Sequence, residues 1–312
     1  MDHSGYQQLY ELETTPEALE ASCEYLAGKM KSFLSIQEPV LICFPDRGPK
    51  SLGNIFKRAV ERCGAQAINW DGDFRWKELL RVAFNSHANT LIAHPLVTLG
   101  LLKMASATST PLYIYDLLFG GYPYSRWMVE GVKRGLDCRV WGCYAVNCGP
   151  VILAFTCDRE SGHHIRNDIL DLKFVCDEDE SQWQPRRGQI SFVSKKNPNV
   201  VYAPGISGVI HHQPCSCGDA APRLAEIRKN VELSTVKQLE QELLSWASVL
   251  DYRATIDDCG LNLEVVVFPG EQLPKLPNCA RLSVRSWNPE TDIPFFIQDN
   301  YLKYDEKLQQ NH

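Results

Sequence analysis

Pro39-Val40-Leu41-Ile42-Cys43-Phe44-Pro45 is the stretch that decides the fold. Five apolar residues between two prolines are too few for a stable helix, and they show no polar alternation. They read as a short strand buried on both faces. Working outward, Thr15-Pro16-Glu17 has a hydroxyl cap, a proline for the first helical position and an acid at the positive dipole end, so a helix runs from there to about Phe33. Downstream a helix covers Leu52 to Cys63 and stops at Gly64, a residue suited to the position after a helix. Then follow a strand Gln66 to Trp70, a helix Phe74 to Phe84, a strand Thr90 to Ala93 and a helix Pro95 to Met104. A strand Pro111 to Tyr115, a helix Ser125 to Arg134 and a strand Cys138 to Trp141 complete the series. Strands alternating with helices imply βαβ units and a parallel sheet covered on both faces.

The texture changes after Gly149-Pro150. Val151–Thr156, Leu170–Cys176, Gln189–Val193 and Val200–Tyr202 are short strand patterns without helices between them. They read as an antiparallel β region. From about Leu233 a helix (Val236 to Val249) and two strands (Leu261–Phe268 and Arg281–Ser286) make a small α+β unit. The expected fold class is therefore α/β: a mostly parallel sheet with flanking helices, an antiparallel β region and a small C-terminal unit. The expected divisions are 1–150, 151–230 and 231–312. Asp177-Glu178-Asp179-Glu180 reads as a solvated loop.

Composition narrows the function classes. An apolar fraction of 44% and a charged fraction of 22% are ordinary for a globular chain. The net charge is −6 and the basic residues are scattered, so neither a nucleic-acid footprint nor a membrane-binding basic patch is expected. The opening residues MDHSGYQQLYELE lack a basic stretch followed by an apolar one, and no apolar run reaches the ~20 residues needed to span a bilayer. Twelve cysteines without an export signal point to a reducing, cytoplasmic setting, with thiols used in the core or as metal ligands.

Four residues carry a metal pattern. Cys157 and His164 form C-x6-H, and after a long excursion Cys215 and Cys217 form C-x-C-G. Three thiolates and an imidazole suit Zn²⁺, and four protein ligands leave no open position for catalysis, so the site would be structural. Cys143, Cys148, Cys176, His163, His211 and His212 are competing ligands, and the alternative reading is a set of ordinary thiols acting as small hydrophobes. Other chemistry is less well supported. Ser4, Ser207 and Ser216 lack a G-x-S-x-G context. Gly205-Ile206-Ser207-Gly208 does not precede a helix, Cys143 and Cys148 read as packing rather than acyl-accepting thiols, and His211-His212 reads as an exposed turn. Tyr122, Tyr124, Trp127, Trp141, Tyr144 and Tyr202 supply aromatic side chains that would suit an aromatic ligand or equally fill a collapsed site.

Four segments carry a resemblance. Leu118-Phe119-Gly120-Gly121-Tyr122-Pro123-Tyr124-Ser125 resembles the "F-G-(A/G)-E-P-W-(S/T)" segment of the phenylacetate–coenzyme A ligases. Trp141-Gly142-Cys143-Tyr144-Ala145 falls at that family's "Y-G-x-(T/S)-E". Phe155-Thr156-Cys157 followed by Gly162-His163-His164-Ile165 resembles "F-E-C … G-L-H-I-W-E-D", and Pro214-Cys215-Ser216-Cys217-Gly218 resembles "P-C-P-C-G". The match covers residues 1 to 230 and the C-terminal unit only loosely. It implies the adenylate-forming superfamily, which activates a carboxylate with ATP and Mg²⁺ and passes the acyl group to coenzyme A. It also implies a structural zinc site at Cys157, His164, Cys215 and Cys217, and a ligand pocket near Gly120, Gly121, Tyr122, Trp141, Gly142, Tyr144 and Tyr202.

The chain departs from that family where the chemistry lies. The phosphate loop "S-S-G-T-T-G-K-P" has at most His3-Ser4-Gly5-Tyr6-Gln7-Gln8 in its place. The glutamate implied to hold Mg²⁺ is Ala145, and its hydroxyl neighbour is Tyr144. The ribose-gripping aspartate of "Y-R-T-G-D" is Ile206, in Val201-Tyr202-Ala203-Pro204-Gly205-Ile206. Adenylyl chemistry depends on positioning and charge neutralisation, so the isolated chain is expected not to adenylate, and no catalytic residue is assigned. It would serve as a binding or accessory protein in a biosynthetic pathway. The alternative is a ligase or acyl transferase completed by a partner chain. The upstream subdomain that the family packs on the sheet has no counterpart here, so that apolar face must be covered by the chain itself or by another. A homodimer or a complex with a partner enzyme is expected.

Overall fold

The structure is a computed structural model. It describes residues 3–70, 73–121, 124, 126–146, 149–157, 162–176, 187–229, 242–243, 245–257, 260–271 and 281–299. Helices α1 (His3–Glu13) and α2 (Pro16–Met30) come first, with Thr15 capping α2 through its hydroxyl. Then β1 (Pro39–Ile42), α3 (Leu52–Arg62), β2 (Gln66–Asn69), α4 (Trp76–Asn85), β3 (Thr90–Ala93), α5 (Pro95–Ala107), β4 (Asp116–Gly121), α6 (Arg126–Gly135) and β5 (Arg139–Ala145) alternate along the chain. β6 (Ile152–Thr156), β7 (His163–Ile165), β8 (Leu170–Cys176), β9 (Arg187–Ser194), β10 (Val201–His211) and β11 (Arg223–Lys229) follow. Among the described residues, no helix is long and apolar enough to cross a membrane.

These strands form one sheet in the order β2-β1-β3-β4-β5-β6-β7-β11-β10-β9-β8. From β2 to β5 every pairing is parallel, and from β5 onward every pairing is antiparallel. The chain moves one way from β1 to β2 and the other way from β2 through β5. Right-handed crossovers therefore put α3 on one face and α4, α5 and α6 on the other. The packing agrees: α3 meets α2, and α5 lies between α4 and α6. The direction reverses between β1 and β3, and that reversal marks the crevice where open α/β sheets bind ligands.

Val40, Leu41, Ile42, Cys43, Phe44, Leu91, Ile92 and Ala93 are all buried by the chain's own helices. The face expected to need an upstream layer or a second chain is thus covered from within. Two apolar cores result. One unites the parallel half with the C-terminal strands, and the other lies on the antiparallel half, where Leu9 of α1 packs beside Phe192, Tyr144 and Tyr202.

The remaining elements are β12 (Val249–Asp257), β13 (Gly260–Val267), β14 (Arg281–Ser286) and a single helical turn, α7 (Phe295–Ile297). β12 pairs antiparallel and β14 parallel with β13. This sheet docks on α5, where the Lys103 ammonium donates to the Val249 carbonyl at 2.7 Å. Val249 is thus a strand residue. The expected helix to Val249 overran, and half of its length (236–241 and 244) lies outside the described residues. β4 also begins later than expected, because Leu118-Phe119-Gly120-Gly121 is itself the buried strand and Pro111 to Tyr115 is not.

Candidate metal centre and ligand crevice

Cys157 follows β6, His164 lies in β7, and Cys215 and Cys217 lie on the turn between β10 and β11. β7 pairs with β6 on one side and β11 on the other, which draws the three segments together. One ligand atom from each of the four residues lies within 4.8 Å of the others. Cys157 Sγ is 3.6 Å from Cys215 Sγ, and Cys217 Sγ is 3.4 Å from His164 Nε2. Metal–ligand bonds of about 2.3 Å to sulfur and 2.0 Å to nitrogen give tetrahedral edges of about 3.8 and 3.5 Å. The geometry therefore fits a small tetrahedral cation.

The surroundings orient these ligands. His164 Nδ1 lies 3.3 Å from the Ala221 carbonyl, which can only accept, so the proton stays there and the Nε2 lone pair faces the cluster. Asp219 donates its amide to Cys217 Sγ at 3.4 Å and accepts from the Ala221 amide at 2.8 Å. The Asp219 carboxylate also binds Lys29 of α2 at 2.6 Å and approaches His164 Nδ1 at 3.6 Å. Gly218 closes the turn at φ +88°, a left-handed conformation open to glycine at little cost. Burial lowers the His164 pKa, with Asp219 opposing, which favours the neutral ligand form. Burial pushes the Cys215 thiol up to about 11, so a cation must displace a proton to bind there. Asp219 and Lys29 were not singled out from sequence. The only signal was an acid two residues past the C-x-C motif.

The competing ligands lie elsewhere. His163 points away from the cluster, with Nε2 unpartnered and its pKa lowered to about 4 by burial. Cys143 is buried in β5, and burial raises its thiol far above the usual range. His211 ends β10 and His212 follows it, while Cys148, residues 177–186 and the Cys176 side chain lie outside the described residues. Among the described residues, the four named ligands form the one such group.

The proposed pocket residues that the structure describes sit in different packing surroundings. Tyr122 lies outside the described residues. Gly120 ends β4 where a Cβ would meet the Phe44 ring at 2.9 Å and the Phe56 ring at 3.0 Å, and Gly121 adopts φ +93°. The Gly142 amide donates to Thr156 Oγ1 at 2.7 Å, and a Cβ there would meet the Tyr124 hydroxyl at 2.5 Å and His163 Nε2 at 2.8 Å. Trp141 points to the other face of β5, stacks on Phe33 at 4.5 Å and donates from Nε1 to Asp116 at 3.1 Å. Tyr144 and Tyr202 both pack against Phe192, at 6.2 and 6.4 Å between rings.

The crevice at the β1/β3 reversal is occupied by the chain itself. Phe44 follows β1, and His94 caps α5 after β3, its Nδ1 accepting the Leu96 amide at 3.2 Å. Phe296 of α7 stacks on the His94 ring at 3.7 Å with planes 13° apart and meets Phe44 edge-on at 6.2 Å. Asp251 fixes that turn, accepting the Phe295 amide at 2.7 Å. Elsewhere in the sheet, Ala145 ends β5, and Ile206 is buried in β10 opposite Ile190, so neither position offers a carboxylate. The stretch aligned with the phosphate loop is helix α1, whose interior amides are bonded within the helix.

Comparison with solved structures identifies this architecture as the adenylate-forming, acyl-CoA ligase fold. 2-Hydroxyisobutyryl-CoA ligase in its postadenylation state, in complex with 2-HIB-AMP, matches with a TM-score of 0.62 and 12% identity over 94% of this chain and 72% of that one. An open conformation of that ligase, in complex with 2-HIB-AMP and CoA, matches with a TM-score of 0.56 and 13% identity over 80% of this chain. This chain spans 59% of the ligase's length in that alignment. The amide bond synthetase McbA from Marinactinospora thermotolerans matches with a TM-score of 0.50 and 12% identity, covering 85% of this chain and 62% of that one. No family model and no curated protein matches.

Proposed function

We propose that this chain is a ligase-fold protein that does not form acyl-adenylates on its own. It would act as a binding or accessory protein for an aryl or acyl substrate or a partner enzyme in a biosynthetic pathway. The observation that carries this reading is Phe296, seated between His94 and Phe44 at the point where the fold offers its ligand crevice. Ala145 and Ile206 support it, since neither can hold Mg²⁺ or ribose hydroxyls. Titration of the purified chain with Mg-ATP should give no saturable heat or fluorescence change. Stoichiometric micromolar binding would overturn the reading.

The ion proposed for the Cys157, His164, Cys215 and Cys217 cluster is a structural Zn²⁺, since soft thiolates and one imidazole select it and all four positions are filled by protein. It would hold the β6, β7 and β10–β11 segments together and take no part in chemistry. Among the described residues eight cysteines are free thiols, which supports a reducing, cytoplasmic setting.

A second reading is a ligase or acyl transferase completed by another chain. Its support is that this chain spans 59% and 62% of the lengths of two matching enzymes. A homodimer or partner enzyme would dock away from the face the chain already covers. Tyr113 and Tyr115, 60% and 59% exposed ahead of β4, are available for it. A monomer mass by light scattering at micromolar concentration would remove the homodimer.

A further inference from the structure

We infer that Cys217 is a peroxide-sensitive modification site whose oxidation expels the cation from the four-residue cluster. The inference rests on the metal reading above. The ligands differ sharply in access: His164 and Cys215 are buried, Cys157 is half-buried, and Cys217 is exposed on its turn. A metal-bound sulfur is a thiolate, and thiolates rather than thiols attack peroxides. The Asp219 amide pointing at Cys217 Sγ supports that charge. Reactive cysteines of this kind combine exposure, thiolate character and a nearby resolving thiol; Cys217 is exposed and within reach of Cys157, and holding the cation would supply the thiolate. Cys43 and Cys143 do not compete, because both are fully buried with thiols held protonated by burial.

The step balances as follows. The Cys217 thiolate attacks hydrogen peroxide, the O–O bond breaks, and sulfenic acid and hydroxide form. The Cys157 thiolate, within 4.8 Å, then attacks the Cys217 sulfur and expels a second hydroxide. Two electrons pass from the sulfur pair to the peroxide, and the hydroxides take protons from solvent. Cys157 resolves in preference to Cys215, because a bridge within C-x-C closes a small, strained ring. The product keeps only Cys215 and His164 as ligands, too few to retain Zn²⁺ at a structural site. A dithiol reductant with zinc present restores the cluster by exchange.

The test treats the zinc-loaded full chain with hydrogen peroxide and follows zinc with a chromogenic chelator. About one equivalent of peroxide should release about one zinc and yield a disulfide peptide joining Cys157 to Cys217. In Cys157→Ser, a sulfenic-acid trap should label Cys217. Cys217→His keeps four ligands but removes the exposed thiol, so it should retain its zinc under the same treatment. Zinc retained by the wild type at about tenfold peroxide excess, or released equally fast from Cys217→His, overturns the inference. If a variant does not fold, disulfide mapping of the wild type decides alone, and a bridge that excludes Cys217 overturns it. Protein that neither contains nor takes up zinc refutes the metal reading instead.

Discussion

The two halves of the sheet differ in what stands at their functional edges. At the cluster edge of the antiparallel half, four side chains converge at near-tetrahedral spacing, and two of them have a partner that orients them: Ala221 for His164, Asp219 for Cys217. At the carboxyl edge of the parallel half, the equivalent space holds Phe296, His94, Phe44 and Phe56 packed on one another. A metal cluster is kept by its contribution to folding. A nucleotide crevice is kept only by chemistry, so apolar side chains can fill it and add stability instead.

Losing the metal should have the largest effect. Cys215→Ala should abolish zinc binding and remove amide-exchange protection from β7, β10 and β11, while β1, β3 and β4 stay protected. Uniform loss of protection across both halves would mean that they are one cooperative unit. Phe296→Ala comes next. Truncating a buried Phe costs about 3–5 kcal/mol, and the vacated slot should take up a planar aromatic such as indole, read as a rise in Tm on its addition. A loss below 1 kcal/mol by denaturant titration would place Phe296 outside the core.

A smaller loss is expected at the contact between the halves. Gly142→Ala would drive a methyl into Tyr124 and His163, at a cost of about 1–3 kcal/mol. A neutral result would show that the two rings yield. The least effect is a pH dependence. Burial raises Asp251 to about 7 despite the Phe295 and Tyr252 amides. The folded state then binds more protons than the unfolded one between about 4 and 7, so this group's contribution is full at low pH and is lost as pH rises through 7. Burial lowers His163 to about 4, and its contribution runs the opposite way over part of that range. The difference between wild type and Asp251→Asn isolates the first effect. It should decline as pH rises from 4 to 7, and a flat difference would refute it.

Much of the parallel half was legible because its central strands β1 and β3 are largely buried and bounded. β3 lies at Thr90–Ala93 as read, and β1 within its two prolines. The Cys157, His164, Cys215 and Cys217 cluster was legible as a group because thiols and an imidazole at turn spacings have few other uses, and the fold brings all four side chains together. The misses share a cause: long-range pairing overriding local signal. β11, Arg223–Lys229, has helix-favouring composition and becomes a strand only between β7 and β10. β7 is three residues long and looks like a loop. β4 was placed at Pro111 to Tyr115, yet Gly120 is a strand residue, and glycine fits there because Phe44 and Phe56 crowd it. Phe296 could not be read at all, since its partner His94 lies in the first third of the chain.

The central claim is that this ligase fold has kept its metal edge and given up adenylation. ATP–pyrophosphate exchange with the zinc-saturated full chain, across phenylacetate, benzoate and short acyl carboxylates, tests it most directly. The account predicts no carboxylate-dependent exchange above the protein-free background. Robust exchange with any one of these acids would contradict it.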